Sequence, residues 1–185
     1  MAALYSAKVA RAKTLPALWL ISDARNDAAL ESALARLPRG SGFVFRHYHL
    51  GAAERGERFA TLAAAARAHG HCVILSGSAA LAQDWGADGI YGPPTALGEP
   101  CSLLRLATAH DPHEIALANS AGADGIFLSP VFSTRSHPGA DCLGEARFRA
   151  LAAQAAAPVI ALGGMTAQRA SQLDWPRWAA IDGLS

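Results

Sequence analysis

The sequence predicts an α/β fold, a compact (β/α)8 barrel with short loops, and three observations carry that prediction. Eight short apolar runs recur along the 185 residues. Seven connections separate them, most of them Ala-rich with helical spacing. The runs lack polar alternation, which is how strands of a parallel sheet read when both faces are buried. Eight such runs favour a closed barrel over an open sheet. The chain falls below the usual floor of ~200 residues for that fold, and little of it follows the eighth run. Trimmed loops and a reduced or missing last helix are therefore expected, in a single domain over 1–185 with an N-terminal extension at 1–16.

Taken in order, the first strand is expected at 18–22, apolar until Asp23. Apolar residues at helical spacing over 27–37 end at Pro38 and Gly40. GFVFR at 42–46 is the second strand and opens into His47-Tyr48-His49. An Ala-rich helix at 54–69 has Gly70 as its C-cap. The third strand, 72–75, runs into Ser76-Gly77-Ser78, and a helix at 79–85 leads to the fourth strand, 89–91. Three prolines and two glycines in 92–100 leave no room for a regular helix. The fifth strand, 103–108, ends in Ala109-His110-Asp111, where Asp111 and Pro112 form an N-cap and first position for a helix at 113–120. The sixth strand is 125–128. A helix at 145–155, a seventh strand at 158–162, Gly163-Gly164, a helix from about Thr166 and a last strand at 178–181 complete the chain.

Composition narrows the function classes. A formal net charge of +1 and 51% apolar residues provide no electrostatic case for nucleic acid or an anionic membrane. The apolar runs are too short to span a bilayer. The first nineteen residues carry Lys and Arg without acids, yet lack a continuous apolar region, so a short surface helix is expected there rather than a transit peptide. Cys72, Cys101 and Cys142 are far apart and odd in number, with no zinc or redox spacing. They read as buried or bystander thiols in a reducing cytoplasm. Homo-oligomerisation is left open.

Two stretches concentrate chemistry. Residues 121–137, AGADGIFLSPVFSTRSH, run from a helix end through a buried strand into a loop with Ser129, Ser133, Thr134, Arg135, Ser136 and His137. Hydroxyls and cations after a buried strand are how a barrel places a site at its strand C-termini. The front half, GADGIF at 122–127, repeats GADGIY at 86–91, which reads as a shared turn between helix and strand. The second stretch, PVIALGGMT at 158–166, leads a buried strand into Gly163-Gly164 ahead of a helix that Thr166 can cap. Backbone N–H groups free of side chains can approach a phosphate there, and the loops after strands seven and eight are the usual phosphate seat of barrels. A glycine pair that only turns the chain is the plainer alternative. Asp182, just beyond the last strand, suits a phosphate only if it caps or faces away.

These motifs together resemble the thiamine phosphate synthase family, which includes the related thiazole tautomerases. LWLISD at 18–23, Arg46, GADGI at 86–90, ATAHDPHEIALA with His110 and Glu114, GADGIFLSPVFSTRSH and PVIALGGMT carry the resemblance from strand one to strand eight. It implies a barrel that joins hydroxymethylpyrimidine diphosphate to thiazole phosphate with Mg²⁺, releasing pyrophosphate. It also implies that Thr134, Ser136, Gly163 and Gly164 hold the thiazole phosphate. The family's T-x-T-K loop stands here as Thr134-Arg135-Ser136-His137, with His in place of Lys. Its Q-x-R-x-K after strand two retains only Arg46, with Val44 and Tyr48 beside it. Ser76-Gly77 stands in place of Asn-Asp, and Tyr91-Gly92-Pro93-Pro94 in place of the loop with the second metal carboxylate. In the tautomerase branch a His follows strand six, where this chain has Pro130.

Mg²⁺ requires hard oxygen ligands, normally one or two carboxylates beside phosphate, and a departing pyrophosphate needs metal or cationic clamps. Losing one such contact typically costs about 10²–10³ in rate, and here two carboxylates and two lysines are replaced. The expectation is a thiamine-biosynthesis barrel that binds thiazole phosphate or a similar small phosphate, with the Mg²⁺–pyrophosphate half degenerate. No cofactor is expected, and Mg²⁺ only if synthase activity holds. His137, Arg46 and His110 are the candidate catalytic residues, with His137 a phosphate ligand or general acid–base. Two alternatives remain: an active synthase using Arg46, Arg135 and His137, or a non-catalytic ligand-binding homologue.

Overall fold

A computed structural model of the protein describes residues 14–134 and 141–184. Of the 1–16 extension in which a short helix is expected, residues 1–13 lie outside them and residues 14–16 are not helical. Eight parallel strands close into a barrel in sequence order, β1 pairing with both β2 and β8. They are β1 (Leu18–Ile21), β2 (Gly42–Phe45), β3 (Cys72–Leu75), β4 (Gly89–Gly92), β5 (Leu104–Ala109), β6 (Gly125–Leu128), β7 (Val159–Ala161) and β8 (Trp178–Ala180). Among the described residues six α-helices cover the outside: α1 (Leu30–Arg36), α2 (Ala52–Ala68), α3 (Ala79–Asp84), α4 (Pro112–Ser120), α5 (Gly144–Ala152) and α6 (Ala167–Leu173). The Pro-rich connection after β4 holds only a 3-10 turn, Pro94–Ala96, and β8 is followed by another, Asp182–Leu184.

Successive strand residues face opposite ways, and here both directions are apolar. Trp19, Ile21, Val44, Ile74, Tyr91, Leu106, Phe127 and Ile160 fill the barrel interior. Leu20, Phe43, Phe45, Val73, Leu75 and Ile126 point outward, under the helices. That double burial is why the strand runs show no alternation. Helix α2 docks with Phe59, Leu62, Ala63 and Ala66, spaced to share one stripe. Inside, Phe127 packs edge-on against both Trp19 and Tyr91, with centroids 5.5 and 5.1 Å away. Gly42 makes room for that layer, since a Cβ there would lie 2.1 Å from the Trp19 ring. Leu15, within the stretch read as an extension, is also buried in the interior cluster.

The repeated GADGI turn has a structural cause. Asp88 accepts the Val73 N–H on its carboxylate and donates its own N–H to the Val73 carbonyl. Asp124 does the same to Arg105. Each Asp thereby staples one strand start to the previous strand, at the barrel end away from the strand C-termini. This is the shared turn the repeat suggested.

Candidate functional site

A cavity of about 570 Å³ opens at the C-terminal ends of the strands. Arg46, His110, Thr134, Gly163 and Gly164 all line it, so five residues singled out in the sequence converge from four different loops. Ser136 and His137, with Arg135, lie outside the described residues. Pro130, Leu162, Met165 and Ile181 supply apolar wall, the usual mixture for a small-molecule site.

The glycine pair sits where two loops touch. Gly163 and Gly164 both have positive φ, 95° and 62°, which non-glycine residues rarely adopt. The Gly163 carbonyl accepts the Phe132 N–H at 3.1 Å, and a Cβ on Gly163 would lie 2.6 Å from the Pro130 Cα. One on Gly164 would lie 2.5 Å from the Ser133 carbonyl oxygen. The pair therefore turns the chain and lets the loops after β6 and β7 meet. Its own N–H groups have no acceptor among the described residues. Thr166 then caps α6, its hydroxyl accepting the Arg169 N–H at 3.2 Å.

Across the mouth, the residues after β2 and β3 are bound to one another. The Tyr48 hydroxyl lies 2.5 Å from the Ser76 hydroxyl, which also donates to the Tyr91 carbonyl at 3.1 Å. Arg55 of α2 donates to the Arg46 and Ser76 carbonyls. Its guanidinium rests 5.5–5.8 Å from the centres of the Phe45, Tyr48 and Trp85 rings, and burial lowers its pKa. Tyr91 lies beneath, its phenol pushed up to about 12 by burial.

Arg46 reaches the cavity but is tied to Asp23 by a 2.9 Å ion pair. Its Nε is buried without a hydrogen-bond partner among the described residues. Partial burial works against the Asp23 carboxylate, but Arg25 and then Arg46 outweigh it, and its pKa falls. Arg25 also lies 3.6 Å from Asp182, so the acid that looked awkward beside an anion is partly neutralised. Behind this chain His47, buried and at φ 42°, bonds Ser22 through Nδ1 at 2.8 Å and Asp27 through Nε2 at 2.7 Å. Ser22 is itself fully buried and accepts the Arg46 N–H, so this Ser–His–Asp line holds the loop and presents no nucleophile.

On the β5 side, Asp111 caps α4 as expected, accepting the Glu114 N–H at 2.9 Å. Glu114 reaches back to both the His110 N–H and its Nδ1, at 2.7 and 2.8 Å. The His110 imidazole is thus oriented by a carboxylate while still half exposed to the cavity.

Sequence reasoning passed over Arg25 and Arg169. Arg25 pairs locally with Asp23, but its contact with Asp182 has no local signal. Arg169 carried a local signal: a cation in the first turn of α6, where the helix dipole favours acids. Breaking a local preference beside a glycine loop is the kind of conflict that accompanies function.

The family model described as "Thiamine monophosphate synthase" matches residues 18–175. A curated relative from Aquifex aeolicus (strain VF5), "Putative thiamine-phosphate synthase 2", is 34% identical over 88 residues, covering 43% of this chain and 46% of the relative. The matched region thus spans less than half that relative's length. Thiamine phosphate pyrophosphorylase from Pyrococcus furiosus superposes with a TM-score of 0.74 at 24% identity, covering 89% of this chain and 84% of that one. The enzyme of the same description from Bacteroides thetaiotaomicron superposes with a TM-score of 0.56 at 16% identity, covering 90% and 82%. With the family model spanning β1 to the end of α6 on a closed eight-stranded barrel, the chain belongs to the thiamine monophosphate synthase family.

Proposed function

We propose that this barrel binds thiazole phosphate, or a phosphomonoester of similar size, without assembling a Mg²⁺–pyrophosphate site. The observation that carries the reading is the Tyr48–Ser76–Tyr91 chain of hydrogen bonds. At the positions where the family resemblance calls for a lysine and an asparagine that meet pyrophosphate, this chain has two hydroxyls that satisfy each other. Gly163, Gly164 and Thr134 line the cavity from the loops after β7 and β6, where backbone donors and a hydroxyl suit a phosphate. The family resemblance alone extends this phosphate role to Ser136 and puts His137 in the place of the family's lysine.

The loops that the family resemblance assigns to Mg²⁺ supply no carboxylate, and the acids that line the cavity, Asp141 and Asp182, follow β6 and β8 instead. Asp23 is engaged by Arg25 and Arg46, and Glu114 by His110. No three His, Cys, Asp or Glu side chains converge among the described residues. Ser76-Gly77 and Pro93-Pro94 offer no carboxylate, while Mg²⁺ needs at least one or two with the substrate phosphates. No step through the metal is derived. Three free cysteines fit a cytoplasmic setting, and among the described residues no helix is long and apolar enough to cross a membrane.

A second reading is favoured by the His110–Glu114 pair. A carboxylate-held imidazole facing the cavity can take a proton from one position of a bound heterocycle and return it at another, which is tautomerase chemistry.

The test is calorimetric titration of the full chain with thiazole phosphate, with and without Mg²⁺ and pyrimidine diphosphate, together with a turnover assay. Binding that ignores Mg²⁺, with thiamine phosphate formation far below about 1 s⁻¹, is expected. Formation at about 1 s⁻¹ or faster, the low end for enzymes, would overturn the reading. Loss of thiazole tautomerisation in His110→Ala would support the second.

A further inference from the structure

We infer that Arg169 is the charged ligand of the phosphate seat and makes the site selective for a phosphorylated over an unphosphorylated ligand. The inference rests on the phosphate-seat reading above and adds the residue that supplies its charge. Three observations place Arg169. Its guanidinium carbon lies 5.1 Å from the centre of the Phe132 ring, a position that holds the plane of the group. Its Nη1 donates to the Gly164 carbonyl at 2.5 Å. It lines the same cavity as Thr134, Gly163 and Gly164.

An arginine has five N–H donors in a rigid fork. One is used on Gly164, and the others are not among the buried atoms lacking a partner. Among the described residues no carboxylate forms an ion pair with Arg169, whereas Arg46 and Arg25 are both engaged by Asp23. Among the described residues that line this cavity, the guanidinium after β7 is therefore the one that no carboxylate engages, and its charge is left for a ligand. A purely structural role, pinning the β6 loop to the β7 loop, would act on every ligand alike.

That difference sets the experiment. Thiazole phosphate, the corresponding thiazole alcohol and inorganic phosphate are titrated calorimetrically into the wild type, Arg169→Lys and Arg169→Gln, with folding checked by circular dichroism. Loss of a charge-assisted contact in Arg169→Gln is expected to weaken thiazole phosphate about 10–100-fold, with the alcohol changed less than about twofold. Arg169→Lys should recover part of the phosphate affinity. Equal weakening of phosphate and alcohol, or unchanged phosphate affinity in a folded Arg169→Gln, would overturn the inference while leaving the seat intact. A wild type that binds neither phosphate probe would remove the seat itself, and this inference with it.

Discussion

At the residue scale, the most demanding position is Gly42. Its missing side chain is space for the Trp19 indole, which is fully buried at the barrel centre. Interiors packed to crystal density cannot absorb a carbon 2.1 Å from a ring. Gly42→Ala is expected to destabilise by about 1–3 kcal/mol, read by urea unfolding; a stability equal to wild type would show that the indole can move aside. His47 sets a pH dependence. Burial lowers its pKa below the ordinary 6.5, outweighing the attraction of Asp27, with His49 and Arg58 also disfavouring the charge. The folded state thus holds neutral imidazole while the unfolded chain takes up a proton. Stability is full above about pH 6.5 and is lost as pH falls from there toward the lower folded value. Asp23 and Asp27 are lowered despite burial, by Arg25 and Arg46 and by His47 and Arg58 respectively, so their contribution is lost only below about pH 4. His47→Asn, which tolerates positive φ, is expected to flatten stability between pH 7 and 5; an unchanged slope in urea melts would reject this assignment.

At the element scale, the nine-residue helix α4 depends on its cap. Asp111 satisfies one orphan N–H and Pro112 begins the helix, while Glu114 links the same turn to His110. Asp111→Ala is expected to cost about 1 kcal/mol, lowering the melting temperature by roughly 2–4 °C in a chain of this size. If the turn also positions His110, the NMR chemical shifts of its imidazole should move in this variant. No change in either quantity would mean that packing of Ile115 and Ala118 alone holds the helix. Helix α6 behaves differently. It has seven residues, is capped by Thr166, ends at Asp174 with φ 46° and buries Leu173, and its Arg169 donates to the Gly164 carbonyl.

At the scale of the whole molecule, closure is what keeps short strands stable. Strands β7 and β8 have three residues each, and β8 bridges β7 and β1. An open parallel sheet would expose unpaired edges and an apolar interior. Removing residues 176–185 is expected to abolish the cooperative thermal transition and produce aggregates by size-exclusion chromatography. A truncated chain that melts as a folded monomer would show that seven strands suffice.

The element order was legible in the sequence because burial on both strand faces and the helical period are local patterns. The capping by Asp111 and Thr166, the turn role of the repeated Asp and the missing helix in 92–100 were legible for the same reason. The converging site loops were legible through short motifs, since Arg46, His110, Thr134 and the glycine pair do share one cavity. Pairing across the barrel was not. That Tyr48 closes onto Ser76, that Arg25 shields Asp182, and that Arg169 leans on Phe132 depend on groups 28, 157 and 37 positions apart. No periodicity or motif encodes such distances. The sequence by itself determined the strands, their buried faces and the chemistry at their ends. Only the tertiary structure decided which charges are spent on each other and which remain for a ligand, because an ion pair or hydrogen bond needs two groups within a few ångströms and the closing of the barrel brings them there.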